Sequence, residues 1–228
     1  MNNKFLSLFQ LCDSNFPSGG FSHSFGLETY IQNDEVHDAD TFSQWLEMFI
    51  QEQMVSSDGL AVKLIYEALE KDNPEELWRM DRLLTIQNIS KETREGTKQM
   101  GRSMVKLADA IYDSPLISTY KRRIKEKKSF GHSAVVFALA GYYLEIPKQT
   151  AVLYCLYTMV VNLVQNAVRG IPIGQTAGQK IIAGFHPKLQ AATEEIEKLS
   201  ENDFGTIAPG IELNQMQHEH VNVRIFMS

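Results

Sequence analysis

The sequence predicts an all-α fold: one domain built as a bundle of about eight to ten helices, followed by an irregular C-terminal tail. Three observations carry this. Apolar residues recur at helical spacing along most of the chain, many of these runs have recognisable start signals, and the alternation of a half-buried strand is almost absent. With 228 residues, 43% of them hydrophobic, the chain can bury one substantial core.

The elements follow in order. In "FPSGGFSHSFGLETYIQ", Phe16 to Gln32, a glycine turn leads into a helix through Leu27, Tyr30 and Ile31, with Ser22 or Ser24 as its cap. Asp40 is the expected N-cap of the next helix, whose Phe42, Trp45, Leu46, Phe49, Ile50 and Met54 form one stripe. In "NPEELWRMDRLLTIQN", Asn73 caps, Pro74 takes the first helical position and Glu76 falls where a capping box places its acid. Ser90 to Tyr112 reads as a longer helix carrying Met100, Met104, Leu107, Ala108 and Ile111. Its Gly96 and Gly101 each cost about 1 kcal/mol against alanine, which suits close helix approach.

Ser114 and Pro115 then start a helix with Ile117, Tyr120 and Ile124 on its inner stripe, and its basic run "KRRIKEKK" reads as a solvated face. "SAVVFALAGYYL" and "AVLYCLYTMVVNLVQNAVRG" are apolar almost all round. The first is too short to span a bilayer and the second is interrupted by Asn162, Gln165 and Asn166, so both are expected as central helices rather than membrane spans. No linker divides the chain. The helical domain is expected over residues 1–200, and residues 201–228 form a tail that either folds back on the domain or is ordered by a partner.

Composition and motifs exclude several functions. A net charge of -6 argues against a nucleic-acid partner. Cys12 and Cys155 form no metal-binding spacing and read as small buried hydrophobes. They suit a reducing cytoplasm, and the N-terminus has no secretory pattern. "GIPIGQTAGQK" lacks the GK[ST] of a phosphate loop, so no nucleotide cofactor is expected. "GFSHS" lacks the second glycine of a nucleophile elbow. A hydrolase using Ser22, His23 and Glu28 remains a rival reading, as does a nickel carrier using His218 and His220, although two exposed polar histidines are the plainer expectation.

What remains is a shaped surface, with glycines allowing close approach and Phe21, Phe25 and Tyr30 as anchors. Three separated motifs now matter together: "FPSGGFSHSFGLE", Phe16 to Glu28; "QNAVRGIPIGQTAGQK", Gln165 to Lys180; and "MQHEHVNVRIFMS", Met216 to Ser228. In order and spacing the chain resembles the UreF family of urease accessory proteins. Phe21 stands where some members have tyrosine, Gly170 where alanine or serine is commoner, and Val223 where a serine can precede the terminal arginine.

The resemblance implies an all-helical, non-catalytic cytoplasmic homodimer that binds the accessory protein UreD (also called UreH) and recruits the GTPase UreG. Together they load nickel into apo-urease, so GTP and nickel belong to partners and this chain needs no cofactor or metal of its own. It implies partner contacts around Phe21, His23, Ser24 and Phe25, at Gln175, Gln179 and Lys180, and along a tail carrying Arg224 and Phe226, the segment that UreD would order.

Overall fold

The computed structural model describes residues 3–14, 16–205 and 208–228. Its elements are α1 (Asn3–Cys12), α2 (Leu27–Gln32), α3 (Ala39–Met48), α4 (Leu60–Glu70), α5 (Pro74–Ile86), α6 (Lys91–Ile111), α7 (Pro115–Lys125), α8 (Ser133–Tyr143), α9 (Lys148–Gly170), α10 (Gln175–Lys198) and α11 (Pro209–Gln217). A π-helical stretch, Phe49–Gly59, joins α3 to α4, so the two run as one rod. Among the described residues there is no strand, and the all-α bundle is the fold the periodicity predicts.

The rod's stripe is where expected: Phe42, Trp45, Leu46, Phe49, Ile50 and Met54 are all buried. Its cap is not Asp40 but Asp38. Asp38 is extended and accepts from Thr41 N at 2.8 Å, while Thr41 Oγ1 accepts from Asp38 N at 3.1 Å; this reciprocal pair leaves Asp40 inside the first turn. Ser114 caps α7 through Ile117 N as predicted, whereas Asn73 begins α5 without a side-chain cap and Glu76 instead grips Arg79. On α6, Met100, Met104 and Ala108 face the core and Ile111 lies at the surface.

The bundle closes around α9, which packs along α10 and against α4, α8 and the π segment. By length and composition α9 could cross a membrane, and half of its most apolar window is buried within the fold. The α8 helix is enclosed from Ala134 to Gly141. Cys12 is buried and Cys155 partly so, and burial pushes the Cys12 thiol up to about 11.

The two glycines of α6 have distinct uses. A Cβ on Gly96 would lie 2.7 Å from the His23 ring, and one on Gly101 would lie 1.8 Å from Gly131 O, in the turn before α8. Backbone cannot yield as a side chain can. Gly101→Ala is therefore expected to destabilise the fold by roughly 3 kcal/mol, lowering Tm by on the order of 10 °C in a thermal melt. A change within 1–2 °C, about the melt's own scatter on this scale, would contradict that packing.

The tail is not wholly irregular. Its α11 packs on α2 and α6, and the residues beyond it continue across the glycine turn.

Candidate functional site

The glycine turn opens at Gly19, in the left-handed region at φ 88, and makes a single 3-10 turn over Gly20–Ser22. Gly20 is buried where a Cβ would stand 3.0 Å from the Asn162 amide on α9. The chain then runs extended through His23, and Phe25 and Gly26 both take positive φ before α2 begins. The N-cap of α2 is Gly26 rather than Ser22 or Ser24, and Ser24 Oγ accepts from Glu28 N at 3.3 Å from two residues before that cap. Phe21 is 55% exposed, whereas His23, Ser24 and Phe25 are buried; they shape the turn from beneath, with Phe25 tilted against Phe49.

The tail lies on this turn. Met227 N donates to Ser22 O at 2.8 Å, Ser24 N donates to Ser228 O at 2.5 Å, and the Ser228 hydroxyl meets His23 Nδ1 at 2.8 Å. Glu28, 2% exposed, accepts from Ile225 N at 2.5 Å and Phe226 N at 3.1 Å, and contacts His218 Nε2 at 2.8 Å. On the other side of its ring His218 meets Glu92 of α6 at 2.7 Å; Glu92 also takes Arg224 Nη1 at 2.7 Å, and Arg224 folds back onto the carbonyls of Glu219 and Val221. A buried carboxylate surrounded by donors is thus what fastens the tail.

The second motif completes the assembly from the end of α9. Asn166 Nδ2 donates to His23 O at 2.7 Å. Arg169 donates to Phe21 O and to Asn166 Oδ1, and its guanidinium lies 3.4 Å from the centroid of Phe21 and 4.6 Å from that of Phe226. A Cβ on Gly170 would collide with Ile31 Cδ1 at 2.8 Å and touch Phe226. Phe226 is buried against this surface, while Val223, Ile225 and Met227, like Phe21, are exposed. Three motifs far apart in sequence therefore make one surface.

Gln175, Gln179 and Lys180 stand apart from it. They are exposed on the first turns of α10, whose buried Gly178 packs on Val164 and Val168. Among the described residues their side chains make no hydrogen bond or ion pair, and Lys180 borders a shallow groove of about 380 Å³ shared with Asp40 and Ser43 of α3.

The residues of the rival readings are engaged elsewhere. His23 turns to Ser228 and Glu28 to the tail, so Ser22, His23 and Glu28 form no relay. His218 is fully buried, correcting the expectation of two exposed histidines, and His220 is at the surface. Among the described residues no group of three or more His, Cys, Asp or Glu is disposed to hold a metal ion. Sequence reasoning saw Glu28 only as a possible catalytic acid and passed over Glu92 and Arg169. Arg169 and Asn166 could have been found from their motif, whereas Glu92 carries no local signal.

Two buried histidines, His23 in the site and His132 at the start of α8, make the fold sensitive to acid. Burial, and then the neighbouring His218, hold the His23 imidazole below its ordinary value; burial does the same to His132 against the opposing pull of Asp58 and Asp81. Unfolded histidine takes up a proton near pH 6.5 while these resist it, so the unfolded state binds more protons. The stability they contribute is present above that pH and lost as pH falls below it. Burial raises Glu92, but hydrogen bonds from His218 and Arg224 outweigh it and hold the carboxyl low, so its contribution is lost only at lower pH. The thermal midpoint is expected to be lower at about pH 5.5 than at about pH 7.5; a flat or rising midpoint over that range would contradict this.

Comparison with known proteins agrees with the motifs. The UreF family model matches residues 36–186. The urease accessory protein UreF of Bacillus sp. (strain TB-90) is 51% identical over 226 residues, covering 99% of this chain and 100% of that protein. By both measures this chain belongs to the UreF family of urease accessory proteins.

Proposed function

We propose that this chain is a non-catalytic scaffold of urease maturation. It binds UreD (UreH) through its tail surface, recruits the GTPase UreG, and so couples GTP hydrolysis in that partner to nickel insertion into apo-urease in the cytoplasm. The observation that supports this best is the convergence of the glycine turn, the end of α9 and the tail. Their polar groups are spent on one another, and what they offer outward is Phe21, Val223, Ile225 and Met227, a set suited to a protein partner. His23, Ser24, Phe25 and Phe226 act by setting the shape of that surface. Gln175, Gln179 and Lys180, exposed and without partners of their own among the described residues, are available for a second contact. A homodimer would cover an apolar face, and α1 turns Phe5, Leu6 and Phe9 to solvent.

The test is urease activity and nickel content in cells carrying the other accessory proteins, with this chain intact, absent or lacking Asn222 to Ser228. Loss of nickel loading in both defective cases, with the truncated chain still folded, supports the scaffold; active, nickel-loaded urease without the chain overturns it. Arg224→Ala should leave the melt nearly unchanged and weaken binding to UreD by roughly tenfold or more. Unaltered affinity would remove Arg224 from the interface.

A further inference from the structure

A second surface lies on the α5–α7 side of the bundle. An open groove of about 520 Å³ has apolar walls from Pro74, Trp78 and Leu116, and Arg122, Arg123 and Lys128 bring cations to it. Its only lining carboxylate, Glu126, is held by Lys128 at 2.7 Å.

The groove is built rather than incidental. Trp78 stacks on Tyr120 at 5.9 Å with the rings 13° apart, and the Arg123 guanidinium sits 4.3 Å over the Trp78 ring while its Nε donates to Ser129 Oγ at 3.2 Å. The turn carrying Lys127 and Lys128 is fixed from inside. Asp81, one turn along α5 from Trp78, accepts from Phe130 N at 2.6 Å, His132 N at 3.0 Å and Tyr120 OH at 2.6 Å.

Lys128 is paired with Glu126, whose charge Arg122 and Arg123 also feel, but much of the remaining charge on this rim is unspent. Lys98, Lys121, Lys148 and Lys188 each contact a carboxylate. Among the described residues the side chains of Arg122, Lys125 and Lys127 make no hydrogen bond or ion pair, and the terminal nitrogens of Arg123 have no acceptor. Cations near a helix C-terminus complement its dipole, which accounts for their sign. It does not account for apolar walls, a fixed tryptophan and two guanidinium groups that make no ion pair among the described residues.

We propose that this groove docks an acidic segment of a partner protein, an apolar side chain resting against Leu116 and the part of Trp78 that Tyr120 and Arg123 leave uncovered, and the flanking carboxylates meeting Arg122, Arg123 and, in exchange for Glu126, Lys128. The volume suits a few side chains of such a segment, and a preformed groove spares most of the ordering that binding would otherwise require. A single-stranded nucleic acid is the poorer occupant. It would need an open aromatic face, whereas Trp78 is taken up by Tyr120 and Arg123, and it would meet a chain of net charge -6.

Fluorescence anisotropy of the full chain with a short labelled peptide, glutamates around a single leucine, tests this. The expected result is saturable binding that weakens as salt rises, is lost when glutamine replaces glutamate, and falls by about tenfold or more in Arg122→Glu/Lys128→Glu, with Lys106→Glu on α6 unchanged. Equal binding of the glutamine peptide, an equal loss in Lys106→Glu, or tighter binding of a labelled oligouridine would each overturn it.

Discussion

Glu28→Ala is expected to undock the tail while leaving the bundle folded. The carboxylate is buried and receives two tail amides and the His218 ring, so its removal strands the buried Phe226 N–H and His218 ring and frees the part-buried Ile225 N–H. Each stranded group costs about 1–3 kcal/mol, more than the contacts of a short segment can absorb, so release of the tail is the easier outcome. The core of α4, α8, α9 and α10 does not depend on Glu28, and the melting midpoint should move by only a few degrees. Tail amides should exchange freely with solvent, and urease activation in cells should fall to the level of the truncation lacking Asn222 to Ser228. Glu28→Gln keeps one acceptor oxygen and should be intermediate. A Glu28→Ala chain with a protected tail and full activation would contradict the role assigned to this residue.

Asp81→Ala should act on the whole domain instead. Asp81 is fully buried and accepts from Tyr120 OH and from the backbone N–H groups of Phe130, Gly131 and His132, which ties α5 to α7 and to the entry of α8. Burial, reinforced by Asp81, pushes the Tyr120 phenol well above its ordinary range, so Tyr120 donates throughout the working pH range. Removing the one acceptor that four donors share is expected to destabilise by roughly 3–5 kcal/mol, a fall in Tm on the order of 10 °C. Asp81→Asn, isosteric and with one oxygen left, should lose less. A loss under about 1 kcal/mol on alanine substitution would show that these donors find other acceptors.

The two carboxylates show what was legible in the sequence and what was not. Helices were, because a stripe such as Phe42–Trp45–Phe49 or a start such as Ser114–Pro115 is written within a dozen consecutive residues. That Gly96 and Gly101 make room for something was also visible, since glycine inside a helix is unfavourable unless something needs the space, but what approaches is the His23 ring and the Gly131 turn rather than the helix the pattern suggests. The cap at Asp38 was missed because two aspartates compete for one helix start and only the reciprocal bond with Thr41 decides between them.

The site was legible in its parts and not in its assembly. The glycine turn, the end of α9 and the tail each stood out, but the contacts that unite them span most of the chain: Glu28 to Phe226, Glu92 to Arg224, Arg169 to Phe21. No periodicity encodes such pairs. His218 is the clearest case, since a histidine in "QHEHVN" looks solvent-exposed until Glu28 and Glu92 close on either side of its ring.

Glu28 fastens the tail to the glycine turn, so that the two form one surface. Amide hydrogen exchange of Ile225, Phe226 and Met227 in the isolated chain measures this most directly. All three are expected to be slowed well below the exchange of an unstructured peptide in the wild type, and the protection of Ile225 and Phe226 to be lost in Glu28→Ala. Exchange in the wild type at the unstructured rate would contradict it.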